Sequence, residues 1–395
     1  MLYFTKQKSE CTGCSACAAA CPVKCIAMEP DAEGFLYPVA SDACIRCGRC
    51  EAVCPVKKER EPKDLPNKVA IAAVSKSPRI WRRSASGGAF SEICRIWGDD
   101  ETIIFGAAWN GFRVEHVGVT GVDNIAPLCK SKYVASAAGD SLSQVRQALA
   151  EGKKVIFCGT PCQVAGLNGY LGSAHDNLLT IDLICHGVGS PEVFTQCIRA
   201  MERDLEKEVI SYEFRAKQSA HDEDHLAKLT CSDKKALYLT NDPYIQLFLE
   251  QRALRDSCAV PCVFRNENRP GDLTIADCKG LLETYPQLKG TKRNYSTVVA
   301  NSKKGLAVLR GLEKTMKTLP ADLDTVKEYN PLFYRQTYFP KDRDAFLEDF
   351  RSDPQAAVKK WTGPMSVYRR SLKHRLFDAA PVLLRKRAID ILNKR

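Results

Sequence analysis

From Val69 onward, short apolar runs alternate with stretches in which apolar residues recur at helical spacing. "VAIAAV", "TIIFGAA", "KVIFC", "LTIDLIC" and "LTIAD" are apolar runs with turn signals beside them, the pattern of buried strands. In "GGAFSEICRIW", Phe90, Ile93, Cys94 and Trp97 fall at i, i+3, i+4 and i+7 and share one helical face. In "SLSQVRQALAEG", Leu142, Val145 and Leu149 fall at i, i+3 and i+7, and Gly152 supplies the stop. "VISYEFRAK" and "AKLTCSDKKALYLT" read as antiparallel strands. The pattern predicts an α+β or α/β core over 69–315, followed by a helical tail over 316–395.

The first 57 residues follow a different rule. "CTGCSACAAACPVKC" and "CIRCGRCEAVCPV" place Cys11, Cys14, Cys17 and Cys21 before Pro22, and Cys44, Cys47, Cys50 and Cys54 before Pro55. The offset is 33 residues at every position, so the two runs are an internal repeat. Between them, "IAMEPDAEGFLYPVAS" reads as a small hairpin, and "KKEREPKDLPNK" is charged and nearly free of apolar residues, which predicts a linker over 58–68.

C-x2-C-x2-C-x3-C-P is the spacing of bacterial two-cluster ferredoxins, in which the fourth cysteine serves the other cluster. The spacing therefore assigns Cys11, Cys14, Cys17 and Cys54 to one [4Fe–4S] cluster and Cys44, Cys47, Cys50 and Cys21 to a second. Gly13, Ser15, Ala16 and Gly48 are small and let backbone N–H groups approach the sulfurs. Zinc is the competing reading, but zinc sites usually show separated CxxC pairs rather than triple runs. Cys25 is left over and reads as a packed thiol.

"KVIFCGTPCQVAGL" predicts a strand ending at Cys158, a turn at Gly159 and a helix with Thr160 as N-cap, Pro161 in its first position and Gln163 closing a capping box. Cys162 then lies in the first turn, where free N–H groups and the helix dipole favour a thiolate. A nucleophile, a cluster ligand and a small buried side chain are all open at this point. Cys185 in "LICHGVGSP" ends the next strand before a Ser-Pro helix start at Ser190, and "DSCAVPCVF" supplies Cys258 and Cys262.

"SASGGAF", "FGAAW", "SKYVAS", "GTPCQVAGL", "IDLICHGVGSP", "DPYIQLFL" and "DLTIADCKG", in that order, carry a resemblance. From about Val69 to Thr315 the chain resembles the coenzyme F420 hydrogenase/dehydrogenase beta subunit family of iron–sulfur flavoproteins, for which a ferredoxin domain is a common companion. The resemblance divides the core at 150/151 into N-terminal-like and C-terminal-like regions and implies a mixed α/β flavin-binding domain. It also implies FAD and a third [4Fe–4S] cluster held by Cys162, Cys185, Cys258 and Cys262. The chain departs from the family at Cys258-x3-Cys262, where CxxC is usual. It departs again at Ala276-Asp277-Cys278-Lys279-Gly280, where "GDFWG" is usual, and in "LCKSKYVAS". For FAD, glycine turns feeding helix starts are the physical candidates. Ser86-Gly87-Gly88 is one, with an ordinary capped helix as its alternative; Gly159 and Thr160 are another, and Lys132 is placed to pair with a phosphate. His186 reads either as a proton donor near a flavin or as a satisfied polar group. His221 and His225 read as an exposed polar loop; Cys94, Cys129, Cys197, Cys231 and Cys278 read mainly as packed thiols.

Composition narrows the function classes. Nineteen cysteines in a chain of 395 residues, many at ligand spacing, point to a reducing, cytoplasmic setting rather than a disulfide framework. No apolar run approaches a membrane span, and "MLYFTKQKSE" has no signal-peptide pattern. Most of the net charge of +11 sits in the tail: from Gln355 onward, eleven Lys/Arg face Asp378 and Asp390, a net of +9 that leaves only +2 for the rest of the chain. A general nucleic-acid function is therefore not indicated. "DAAPVLLRKRAIDILNKR" reads as a basic amphipathic helix, either packed on its own domain or resting on an anionic membrane or acidic partner. Together these readings predict an oxidoreductase that passes electrons between ferredoxin or another redox protein, the clusters, FAD and a small organic or deazaflavin substrate. The alternatives are an electron-transfer subunit serving a separate catalytic chain and, from a different class, a zinc-stapled interaction module.

Overall fold

The computed structural model describes residues 7–57, 61–217, 226–259, 262–288 and 294–368. In its N-terminal domain, β1 (Ile26–Pro30) and β2 (Leu36–Ala40) pair antiparallel, from Ile26 opposite Ala40 to Pro30 opposite Leu36. Two short helices, α1 (Ala16–Ala20) and α2 (Arg49–Ala52), occupy equivalent places in the two halves of the repeat. The equivalence extends to the backbone. Ser15 and Gly48, the residues that open these helices, are both left-handed, at φ 64° and 73°. Gly13 and Arg46 are left-handed as well, at φ 70° and 53°.

The main domain is built on nine strands. They are β3 (Val69–Ser75), β4 (Ile103–Asn110), β5 (Arg113–Thr120), β6 (Ser136–Ala137), β7 (Val155–Cys158), β8 (Leu178–Leu183), β12 (Leu273–Asp277), β13 (Ser296–Ala300) and β14 (Met316–Ala321), in the order β14-β3-β13-β12-β8-β7-β4-β5-β6. The centre, β4-β7-β8-β12, is parallel; on one side β13, β3 and β14 alternate in direction, each antiparallel to its neighbour, and on the other β5 is antiparallel to β4. Parallel strands covered on both faces must be apolar on both. Val155 to Phe157 of β7 are apolar and buried accordingly. A smaller antiparallel sheet holds β9 (Val209–Glu213), β10 (Ala227–Cys231), β11 (Ala236–Asn241) and β15 (Ser366–Val367).

Six further helices matter for the site: α3 (Pro78–Arg82), α4 (Ala89–Trp97), α5 (Ser141–Ala150), α6 (Pro161–Leu171), α7 (Pro191–Leu205) and α8 (Pro243–Leu249). The fold is the mixed α/β architecture that the strand and helix periodicities predict. Three details differ. The buried face of α4 includes Ala89, Ser91 and Glu92, while Phe90 and Trp97 are only half-buried; Glu92 is tolerated because its carboxylate accepts from Ser75 Oγ. The predicted helical tail does not start at 316, since Met316–Ala321 pairs with β3 at the edge of the sheet. Helices at Arg343–Ser352 and Pro354–Trp361 then add Phe346, Phe350 and Val358 to the core around α7. The linker is docked rather than free: Leu65 packs on the core, and Asp64 accepts from the Lys303 N–H at 2.9 Å. The basic segment from Asp378, and His221 and His225, lie outside the described residues. No helix among the described residues is long and apolar enough to cross a membrane.

Candidate functional site

The N-terminal thiols gather in two groups. Burial, followed by the neighbouring sulfur of Cys11, pushes the Cys17 thiol up to about 12, with Cys54 and Cys50 adding to it. Burial raises Cys14 further, and Cys17, Cys162 and Cys11 add to it. Burial also raises Cys54, which faces Cys11. Cys11, Cys14, Cys17 and Cys54 thus form one group. In the other, the Cys25 thiol is pushed up to about 11, first by its hydrogen bond with Cys21, and Cys44 contributes as well. The Cys21 and Cys25 sulfurs are 3.4 Å apart. Burial raises Cys50, which also feels Cys44 and Cys47.

The main domain brings four more cysteines together. Thr160 caps α6, and its N–H donates to Gln163 Oε1 at 3.0 Å, which fixes the first turn. Cys162 in that turn has its sulfur 3.1 Å from Thr160 Oγ1. Cys162, Cys185, Cys258 and Cys262 line one cavity, with Thr12 of the N-terminal domain, Arg265 and Arg269 also in its wall. Each of the four is half-buried by surface because the cavity opens beside it, and protein encloses it otherwise. Burial pushes Cys185 up to about 12, with Cys162 and Cys262 adding. Burial also raises Cys162 and Cys258. The loop after Cys185 is tight. Gly187 sits at φ +135°, where a Cβ would come within 3.1 Å of the Cys258 Cβ, and the Val188 N–H points at the Cys258 sulfur at 3.4 Å. Arg269 is held by Asp182, whose Oδ1 accepts from Arg269 Nη2 at 2.7 Å and from Thr274 Oγ1 at 2.8 Å. Among the described residues, no three Cys, His, Asp or Glu side chains close to the spacing of a single metal ion.

Two features connect this cavity to the N-terminal thiols. Along α6, one turn after Cys162, Gly166 lies against Cys14: a Cβ there would be 2.9 Å from both the Cβ and the sulfur of Cys14. At Gly169 a Cβ would be 2.6 Å from the Val53 carbonyl, beside Cys54. The second feature is Arg255, 2% exposed. Its Nε donates to the Cys11 carbonyl at 2.8 Å and its Nη2 to the Leu36 carbonyl at 2.9 Å, with the Cys11 sulfur 3.7 Å away. Its guanidinium also lies 4.0 Å from the centre of the Tyr37 ring. Neither feature stands out from the sequence pattern alone. The i, i+3 glycines of "CQVAGLNGY" are a readable signal, whereas Arg255 sits in an ordinary polar stretch.

The residues predicted for FAD do not come together. The Gly87 N–H donates to Ser296 Oγ at 2.9 Å and its carbonyl accepts from the Ser75 N–H at 2.8 Å. Ser86 Oγ donates to the Tyr295 carbonyl at 2.7 Å, and Gly88 caps α4 above the buried Glu92. This loop is a capped helix start keyed into the sheet rather than an open phosphate cradle. Gly159 and Thr160 do not line the cysteine cavity but precede Pro161 and Cys162 in its wall, with Thr160 capping α6. Lys132 alone of the six lines a second cavity of about 860 Å³, whose wall also holds Arg79, Arg83, Trp109, Cys129 and Phe214. Burial lowers the Lys132 ammonium to about 8. Arg79 and Arg83 have no acceptor among the described residues. His186 lines neither cavity. Its Nε2 is 3.3 Å from the Phe248 carbonyl, so that nitrogen carries the proton, and its ring packs on Phe248 at 4.9 Å. The proton-donor reading of His186 gives way to that of a satisfied polar group. Tyr133 stacks on Phe248, with centroids 4.9 Å apart, and meets the edge of Phe214 at 5.2 Å; Phe214 lines the second cavity.

Residues 152–323 match the family model for the C terminus of the coenzyme F420 hydrogenase/dehydrogenase beta subunit, and residues 10–58 match that of the 4Fe-4S dicluster domain. A search of curated proteins gives no match. Among solved structures, a chain from the xenon-derivatised F420-reducing [NiFe] hydrogenase complex of Methanosarcina barkeri is similar at 14% identity and a TM-score of 0.44, over 71% of this chain and 91% of that chain. Over residues 152–323 the chain is thus similar to the C terminus of the coenzyme F420 hydrogenase/dehydrogenase beta subunit, and a region similar to the 4Fe-4S dicluster domain precedes it over residues 10–58.

Proposed function

We propose that the protein is an iron–sulfur flavoprotein oxidoreductase in which Cys162, Cys185, Cys258 and Cys262 hold a third [4Fe–4S] cluster, beyond those held by Cys11, Cys14, Cys17 and Cys54 and by Cys21, Cys44, Cys47 and Cys50. The carrying observation is the shared cavity of the first four thiols, joined to the first N-terminal group by α6 and Arg255. The donor set fits such a group: burial holds Cys162, Cys185 and Cys258 towards their neutral forms, and metal ligation offsets that cost by replacing protons. Arg265 and Arg269 compensate negative charge at the cavity wall, and Asp182 keeps Arg269 in place.

FAD fits the second cavity, whose volume is within the usual range for bound ligands. Arg79, Arg83 and Lys132 are its anion partners, and Trp109 and Phe214 its ring-stacking surface. A phosphate beside Lys132 would restore the charged ammonium that burial disfavours. When bound, clusters supply one-electron transfer and a flavin supplies the conversion to two-electron chemistry. The protein's own part is to fix spacing, exclude water behind Tyr133 and Phe248, and supply fixed cations. The substrate is a small organic or deazaflavin molecule. The matched family is described as a beta subunit, which favours a second form of this reading, with part of the reaction on a partner chain.

Iron and flavin content of anaerobically purified protein tests the proposal. About twelve irons, four per cubane, and one FAD are expected, falling to about eight irons in Cys185→Ser. About eight irons in the unsubstituted protein, with no flavin, would remove the third cluster and the second cavity's assignment together.

A further inference from the structure

The two halves of the cysteine repeat share backbone geometry but not surroundings. In the first half, Thr12, Gly13, Cys14, Ser15 and Ala16 face the main domain. Thr12 lines the cysteine cavity, Cys14, Ser15 and Ala16 are buried, and a Cβ on Gly13 would lie 2.9 Å from Arg255 Nη1. The residues 33 positions later are Ile45, Arg46, Cys47, Gly48 and Arg49. Ile45 is 60% exposed, Arg46, Cys47 and Arg49 are exposed too, and nothing lies within 4 Å of a Cβ built on Gly48. The loop after Cys21 borders the same thiol group and adds Val23, 43% exposed, and exposed Lys24.

The face that the first half uses for docking is thus repeated in the second half without a partner among the described residues. Its chemistry has changed in one direction. Gly13 and Ala16, small and seated against the main domain, become Arg46 and Arg49. Asp42 and Glu51 lie nearby in the chain, but exposed Lys24, Arg46 and Arg49 flank the exposed apolar side chains Val23 and Ile45 in the two loops. Exposed apolar side chains flanked by cations fit a partner whose own redox centre lies under an acidic surface, since complementary charge speeds encounter and fixes orientation.

We propose that this face, around Cys47 and the second thiol group, is the docking site of a small acidic one-electron carrier protein. The proposal rests on the assignment of Cys21, Cys44, Cys47 and Cys50 to an iron–sulfur cluster. In it, one symmetric face hands electrons inward through Arg255 and α6, and the other meets the external carrier.

The test is equilibrium binding to full-length, cluster-loaded protein, with an acidic bacterial ferredoxin as probe and basic cytochrome c as control. Salt-sensitive ferredoxin binding, weakened about tenfold or more by Arg46→Glu combined with Arg49→Glu, and negligible cytochrome c binding are the expected results. Ile45→Asn, which removes apolar contact without adding charge, is expected to weaken binding without changing its salt dependence. Iron is counted in every variant, so loss of the underlying cluster is distinguished from loss of docking. Full iron content with ferredoxin binding that ignores the charge reversal would overturn the docking proposal and leave the cluster assignment standing. Self-association abolished by Ile45→Asn, with no ferredoxin binding, would also overturn it, because the face would then pair two copies of this chain.

Discussion

Replacing Arg255 by methionine keeps the aliphatic stem and removes a buried cation from beside the first thiol group. The magnitude follows from the geometry. Arg255 Nη2 is 3.7 Å from the Cys11 sulfur. At an effective dielectric of about 20, a unit charge at that distance interacts by about 4.5 kcal/mol. In a one-electron couple, about 1.4 kcal/mol corresponds to 59 mV, so the ceiling is about 190 mV. Spreading of charge over a cluster and relaxation of the surroundings reduce this to a shift on the order of 100 mV. The sign is fixed: reduction adds negative charge, a nearby cation favours it, and its removal lowers the potential. The substitution also strands the Cys11 and Leu36 carbonyls, at about 1–3 kcal/mol each. The assay is a potentiometric titration followed by low-temperature EPR. One N-terminal cluster should move to lower potential while the cluster near Cys47 stays in place. Arg255→Lys should recover much of the potential but not the stability, because a single ammonium cannot reproduce the fork. Equal shifts in both N-terminal clusters, or none, would refute the placement of Arg255 against the Cys11 group.

Gly166→Val drives its side chain into Cys14, so iron content should fall by about four per chain; unchanged iron would show that α6 and the N-terminal domain separate readily. Asp182→Asn leaves the Arg269 cation without its charged partner in a buried setting and should destabilise the protein by about 3–5 kcal/mol, read as a lower midpoint in denaturant. Burial lowers the His116 pKa from 6.5 to about 4, with Nε2 3.1 Å from the Cys158 carbonyl. Because the unfolded chain binds the proton first, this contribution is complete above pH 6.5, falls as pH drops towards 4 and is flat below. Its total is on the order of 3 kcal/mol. His116→Gln should flatten that part of the Tm-against-pH curve, and an unchanged slope would count against the reading.

Local patterns made the strands at the centre of the sheet legible. "KVIFC", "LTIDLIC" and "LTIAD" are short apolar runs because β7, β8 and β12 are covered on both faces, and the Thr160 capping box is a purely local signal. β14 was not legible. "MKTLPA" carries Lys317 and Pro320, which an edge strand tolerates, and its identity comes from pairing with β3 more than two hundred residues earlier. Spacing grouped the N-terminal cysteines because each ligand run is contiguous. The second cavity was not legible for the opposite reason. Glycines before a helix announce a turn, and what occupies the turn depends on neighbours such as Ser296, which lies far along the chain from Gly87. Arg255 shows the same limit more strongly, since the carbonyl it holds is 244 residues away.

The placement of Gly166 and Gly169 explains why one helix suffices to connect the two domains' thiols. Cys162, Gly166 and Gly169 lie on successive turns of α6, and four residues of helix rise about 6 Å. Cys14 seats on Gly166 by direct contact, so its distance from Cys162 is set by helix pitch and by the missing side chain, rather than by loops. Helix backbone is stiff, and the capping box at Thr160 fixes the end that carries Cys162. A loop-mounted ligand would let the spacing drift with the motion of the N-terminal domain. Glycine costs about 1 kcal/mol relative to alanine within a helix, and α6 bears that cost twice over. What the helix gains is van der Waals contact with Cys14 and with the Val53 carbonyl, at positions where a methyl group would force the domains apart. The conformational cost of α6 is therefore tied to the separation between thiol groups, which in the proposed function sets electron transfer between the clusters they would hold.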